Sequence, residues 1–332
     1  MRTGSSPPPP HATDPGCASG LAVAEELDPL LRAEAPSLRI LVVGGCGFLG
    51  RHLLPRLLSR GHRVRVLCRR RPPELDRAWA GVEWRTADVT EPATLSGIAT
   101  GCDRIAYLAG VAPGSPSGDP GRVHVAGLRN VLARAQESGT TRFIFVSALG
   151  ASPDAGTFLR SKFRGEEAVV GSGIEYVICR PAVIYGPGDH FVSVLSAVLR
   201  RLPVFPLAGS GAFRLQPVAV EDVADALAQT LERPDLANTT HDLAGPDPLR
   251  FEEIVRIVGA AIGVRRPILP LPAIAARLAG RIVRGLGAPR PFGPADLETL
   301  RGGGVLQGQD NPLRSVFRIK PLPFADAVAD YA

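Results

Sequence analysis

The sequence predicts an α/β protein built on a doubly wound parallel sheet, with a small C-terminal, substrate-side lobe. Three observations predict it. Short apolar runs alternate with segments of helical spacing from Leu38 to Pro181. The first run, RILVVGG, ends in glycines and feeds directly into a helix. After GPGD at 186–189 the units lose this regularity. With 332 residues, 45% of them hydrophobic, the chain is long enough to bury a large core.

The elements follow in order. The strand beginning at Leu38 leads into a helix from Phe48 to Arg60, stopped by Gly61, and HRVRVLCR from His62 to Arg69 is a second strand. A third strand is expected at Gly81 to Arg85, then the loop ADVTEP, a helix to Thr100 and a fourth strand from Arg104 to Gly110. VHVAGLRNVLARAQESG has helical spacing, TRFIFVSALG a fifth strand, and a helix from about Thr157 precedes a sixth strand from Glu175 to Pro181. Further helices are expected at Phe191 to Arg201 and Arg250 to Ile262. The resulting division is a disordered tail at 1–37, a core at 38–190, and a lobe at 191–332 interleaved with the core.

Composition narrows the functional classes. The net charge of +6 is spread along the chain and only 5% of residues are aromatic, which argues against a nucleic-acid-stacking surface. Of 38 basic residues only Lys162 and Lys320 are lysines, so a retained lysine is a suspect for function. Cys17, Cys46, Cys68, Cys102 and Cys179 are odd in number and scattered, with no zinc or disulfide spacing. No apolar stretch reaches the ~20 residues of a membrane span, and the start lacks the apolar core of a secretory signal. A cytoplasmic location follows. A peripheral one, on the inner face of a membrane, is suggested by 265–290, where Arg277, Arg281 and Arg284 recur at helical spacing beside Ile274, Leu278 and Ile282. A helix packed on the protein's own lobe gives the same pattern.

The chemistry begins at VVGGCGFLG. Gly44, Gly47 and Gly50 stand between a strand and a helix, where glycines let a pyrophosphate approach backbone N–H groups at the positive helix end, with Phe48 and Leu49 in the first turn. This is the dinucleotide signature of a Rossmann fold. An acidic residue ending the second strand would hold a ribose 2′-hydroxyl. The chain has Arg69 and Arg70 there instead, which suits a 2′-phosphate and predicts NADP(H) over NAD(H). Asp88 and Val89 would meet the adenine, while Ala109 and Gly110 line the cofactor; Asp88 is equally an ordinary helix cap.

GGCGFLG, ADVT, YLAG, VHVAGLRNVL, FVSALGA, SKFRGEEAV, CRPAVIYGPGD and QPVAVEDVADAL together resemble the extended and atypical short-chain dehydrogenase/reductase superfamily over about residues 38 to 330. VHVAGLRNV, VSALGA, RPAVIYGPGDHF and LPVFPL are most similar to the branch containing complex I alpha subcomplex subunit 9 and its bacterial relatives. The resemblance implies a Tyr-x-x-x-Lys pair with a serine: Ser147 and Lys162 match, Pro181 and Val183 fall on the cofactor side, and Phe158 stands where the tyrosine belongs. A phenyl ring has no proton to give. His124 replaces the superfamily's relay asparagine and reads as a packing residue, as does Tyr185. Three functions stay open. One is an NADP(H)-binding protein with weak or no keto-reductase activity, beside a respiratory complex or membrane surface. A second is an NADP-dependent oxidoreductase or epimerase with another acid. The third is a redox-sensing regulator similar to the NmrA-like branch.

Overall fold

Strand β1, Arg39–Val43, sends Ile40 and Val42 into one apolar core and Leu41 and Val43 into another. A strand apolar on both faces belongs inside a sheet covered on both sides. The computed structural model describes residues 37–71, 79, 81–112, 119–208, 211–272, 292, 294–308 and 310–332, and Ser37–Ala332 forms one unit. The central sheet adds β2 (Arg63–Cys68), β3 (Glu83–Thr86), β4 (Arg104–Tyr107), β5 (Arg142–Val146), β6 (Glu175–Pro181) and β7 (Thr239–Leu243). Its order is β7-β6-β5-β4-β1-β2-β3, with every pair parallel.

Winding reverses between β1 and β4, which opens a crevice beyond the C-terminal ends of these strands. Helix α1 (Phe48–Ser59) covers the first face with Leu53, Leu54 and Leu57, whereas α2 (Leu128–Glu137) and α3 (Thr157–Val170) cover the second through residues such as Leu128, Val131 and Val169. A third core joins α4 (Phe191–Arg201), α6 (Phe251–Ala261) and α7 (Pro294–Gly302) through Phe191, Leu195, Phe251, Val255 and Leu300. The intervening α5 (Val220–Glu232) returns to the first face, so the later chain supplies both a sheet layer and the lobe.

Two segments differ from the expectation. The helix expected up to Thr100 is one 3₁₀ turn, Pro92–Leu95, followed by turns. Gly97 and Gly101 adopt φ of +66° and +69°, which ends helical winding, although Leu95, Ile98 and Ala99 are still buried at a helix-like spacing. At the start of the basic segment, Ile268–Leu271 pairs in parallel with Phe205–Ala208 instead of joining a helix, in a stretch made extended by Pro267 and Pro270. The tail to Pro36 and residues 273–290, the latter with four arginines, lie outside the described residues. Among the described residues no helix is long and apolar enough to cross a membrane.

Near the C-terminus, Leu322 N–H donates to Asp222 (2.9 Å), and its carbonyl accepts from Tyr185 (3.0 Å). Tyr331 donates to Asp189 (2.8 Å), whose other oxygen accepts Val192 N–H (2.7 Å) in the first turn of α4. Tyr185 is fully buried, with its ring edge-on to Phe324 at 4.9 Å, and is a packing residue.

Candidate functional site

The crevice holds two adjoining clefts that share Gly44, Gly47, Leu108, Gly110 and Val111. The first, about 680 Å³, runs over the ends of β1, β2 and β4 and is lined by Gly44, Gly47, Arg69, Arg70, Asp88, Val89, Ala109 and Gly110. The second, about 460 Å³, is lined by Phe48, Leu49, Gly50, Ser147, Phe158, Lys162, Pro181 and Val183 among others. All the sequence-selected site residues therefore meet in one continuous space.

Gly44 has φ +84°, and a Cβ on it would stand 2.8 Å from the Ala109 nitrogen. Only glycine lets the turn lie this close to the end of β4. A Cβ on Gly50 would meet the Gly45 carbonyl oxygen at 2.3 Å, so α1 packs directly on the turn. Helix α1 follows its N-cap Gly47 with no side-chain cap and no acid in its first turn, and Gly47, Phe48, Leu49 and Gly50 line the inner cleft, so the positive helix end adjoins it. Such a cradle fits a pyrophosphate.

At the outer end, Arg69 and Arg70 are exposed beyond β2, and Arg71 stacks over Trp84 at 5.3 Å. Asp88 accepts the backbone N–H (2.9 Å) and hydroxyl (2.8 Å) of Thr90 on one oxygen. The Thr90 N–H holds its carboxyl below the usual range, and Arg69 and Arg122 add to this. The carboxylate thus shapes its own loop as a cap does, while lining the cleft.

At the inner end, Lys162 is buried and its Nζ donates to the Val146 carbonyl at 2.9 Å. Burial lowers its pKa to about 8, opposed by Glu166. The Ser147 hydroxyl donates to Glu166, which Arg180 grips with two bonds of 2.8 and 2.5 Å. Since that carboxylate can only accept, the serine proton points away from the cleft. Arg180 also lies 4.0 Å from Asp242 on β7.

His124 occupies a π-helical turn, Arg122–Gly127, just before α2. Its Nε2 accepts Val111 N–H (3.3 Å) and its Nδ1 lies 2.8 Å from the Ser161 hydroxyl, which donates to the Phe158 carbonyl (2.6 Å). This chain assigns the proton to Nδ1. Burial, followed by the Lys162 charge, lowers the imidazole pKa to about 2, so it stays neutral. The Phe158 ring stands edge-on to it at 5.2 Å. A close helix crossing sets these depths: a Cβ on Gly165 would lie 2.7 Å from the His124 carbonyl oxygen and 2.8 Å from the Phe145 ring.

Glu166, Arg180 and Ser161 were not singled out from sequence. Glu166 carried a usable signal, four residues after Lys162 and hence on the same helix face. Arg180 and Ser161 carried none, because Arg180 meets Glu166 from a neighbouring strand and Ser161 meets His124 from a distant turn. The far wall of the second cleft, with Phe191, Phe292, Asp296 and Leu300, also had no local motif.

A parallel sheet with a switch point, a glycine cradle and a buried lysine across it define a dinucleotide-binding protein of the Rossmann class. The sequence model of the NAD dependent epimerase/dehydratase family matches residues 40–243, and the chain belongs to that family, within the extended short-chain dehydrogenases/reductases. It is 33% identical to the ceramide reductase of Caulobacter vibrioides, over 74% of this chain and 77% of that one. It is 29% identical to the NADH dehydrogenase [ubiquinone] 1 alpha subcomplex subunit 9 of Arabidopsis thaliana, over 79% of this chain and 65% of the relative. The fold resembles the NADPH-dependent quinone oxidoreductase QOR2 of Escherichia coli complexed with NADPH, with TM-score 0.69 and 19% identity, over 88% of this chain and 99% of that one.

Proposed function

We propose that this protein binds NADP(H) across the switch point and has weak or no keto-reductase activity through the tyrosine route. Phe158 carries the reading: its side chain borders the inner cleft with Lys162, where a proton donor is needed, and offers only a hydrocarbon edge. A bound nicotinamide dinucleotide supplies or accepts hydride. The chain's own part is to hold it. The N–H groups at the start of α1 face the pyrophosphate, and Lys162 presents a compact ammonium to the nicotinamide ribose. Arg69 and Arg70 select the 2′-phosphate by charge-assisted bonds.

Titration of the purified protein with NADPH and NADH tests this. NADPH binds at least about tenfold tighter, corresponding to ~1.4 kcal/mol, and Arg69→Ser with Arg70→Ser removes the difference; equal affinities in the unaltered protein refute the preference. Rapid NADPH oxidation with simple ketones or quinones, abolished by Lys162→Ala, refutes the weak-activity half.

The apolar inner cleft beside Lys162 favours a second reading, a working NADP-dependent oxidoreductase with another acid, as the likeness to a ceramide reductase also suggests. A peripheral place beside a respiratory complex is supported by the plant relative and by the arginines of 273–290. Co-purification of respiratory subunits under mild conditions supports that placement; a protein found alone in the soluble fraction argues against it.

A further inference from the structure

We propose that the inner cleft, past the nicotinamide position, binds an uncharged apolar carbonyl compound rather than a nucleotide sugar. The inference rests on the placement of the dinucleotide above and adds the class of the second ligand. The two clefts differ in their chemistry. The outer one carries Arg69, Arg70 and Arg122 and suits phosphates. The inner one is walled by Phe158, Val183, Ile184, Phe191, Phe292 and Leu300.

A nucleoside diphosphate brings two phosphates that need cations or clustered N–H donors. Among the described residues of the inner cleft the only lysine or arginine is Lys162, which is buried and donates to the Val146 carbonyl. Phe292 forms a triangle of rings with Phe191 (5.8 Å) and Phe251 (6.5 Å), so the apolar wall continues into the core of the lobe. A cleft of about 460 Å³ is the size of small-molecule sites generally. Its polar side chains are Ser147, Lys162, His190, Asp296 and Thr299, and every other side chain of the lining is apolar, which suits a carbonyl oxygen near Lys162 and a hydrocarbon body along Phe158, Phe191 and Phe292.

The test is calorimetric titration of the NADPH-saturated protein with 2-undecanone and, separately, with UDP-glucose. The expected result is binding of 2-undecanone, at least tenfold weaker binding of it in Phe292→Lys, and no UDP-glucose binding at the same concentrations. NADPH titration of each variant reports its fold, and the milder Phe292→Ala weakens 2-undecanone in the same direction. UDP-glucose binding as tight as 2-undecanone overturns the proposal, as does 2-undecanone binding indifferent to both substitutions or absent from NADPH-loaded protein. If NADPH itself does not bind, the cofactor assignment fails. Phe292-dependent binding of 2-undecanone to the unloaded protein then still supports the apolar cleft, and its absence overturns it.

Discussion

Replacing Lys162 by methionine should make the protein more stable near neutral pH while weakening its hold on the dinucleotide. The folded protein keeps this amine buried with a pKa of about 8, below the 10.5 of a free lysine side chain. The folded state therefore binds fewer protons than the unfolded chain between these values, and stability contributed by this residue rises with pH across that window. At about pH 7 the charged amine costs roughly 3 kcal/mol relative to an exposed lysine, and at about pH 9.5 roughly 1 kcal/mol. The stability difference between Lys162→Met and the unaltered protein should shrink by about 2 kcal/mol over that interval. Taking the difference removes every other group that titrates there. Urea unfolding of both unliganded proteins at the two pH values measures it. A difference that stays constant would refute the argument, because it would mean the amine is as solvated folded as unfolded.

Other perturbations probe the remaining parts. Gly44→Ala combines a left-handed backbone with a contact of 2.8 Å to the Ala109 nitrogen; it should cost about 2–5 kcal/mol and abolish NADPH binding, and an unchanged thermal unfolding temperature would contradict the geometry. Phe158→Tyr restores a phenol beside Lys162 and should raise NADPH-dependent ketone reduction about 10- to 100-fold, with a pH profile that follows the phenol; no gain would mean that the tyrosine is not the missing part. Arg180→Leu leaves Glu166 buried without its cation and should cost about 2–4 kcal/mol, after allowance for partial exposure of the arginine. Arg180→Leu with Glu166→Leu should recover most of that loss in a denaturant double-mutant cycle.

Much of the sheet could be read from the chain because the signals are local. The glycines at 44, 47 and 50, the apolar alternation of β1 and the run at Phe143 to Val146 each announce an element without help from distant residues. The turn region at 92–101 misled because buried positions at helical spacing also arise in consecutive turns, and the backbone at Gly97 decided the matter. The lining of the clefts was legible on the cofactor side, where each residue follows a strand end. Glu166 had a signal in its spacing from Lys162, but its bond to Arg180, which joins α3 to β6, was not legible, nor was the far wall, where Phe292 meets Phe191 across about a hundred residues of sequence. Those contacts are products of topology.

The close approach at Gly165 limits how this family member can vary. The spacing between α3 and the π-helical turn is fixed by a hydrogen atom, and three residues earlier the same helix carries Lys162 to its carbonyl partner. A methyl group there would push the helix outward and lift the ammonium from its seat, although it would touch neither clefts nor charges. The reach of the lysine is thus inherited from the smallness of its neighbour, and the two positions are free to drift only together.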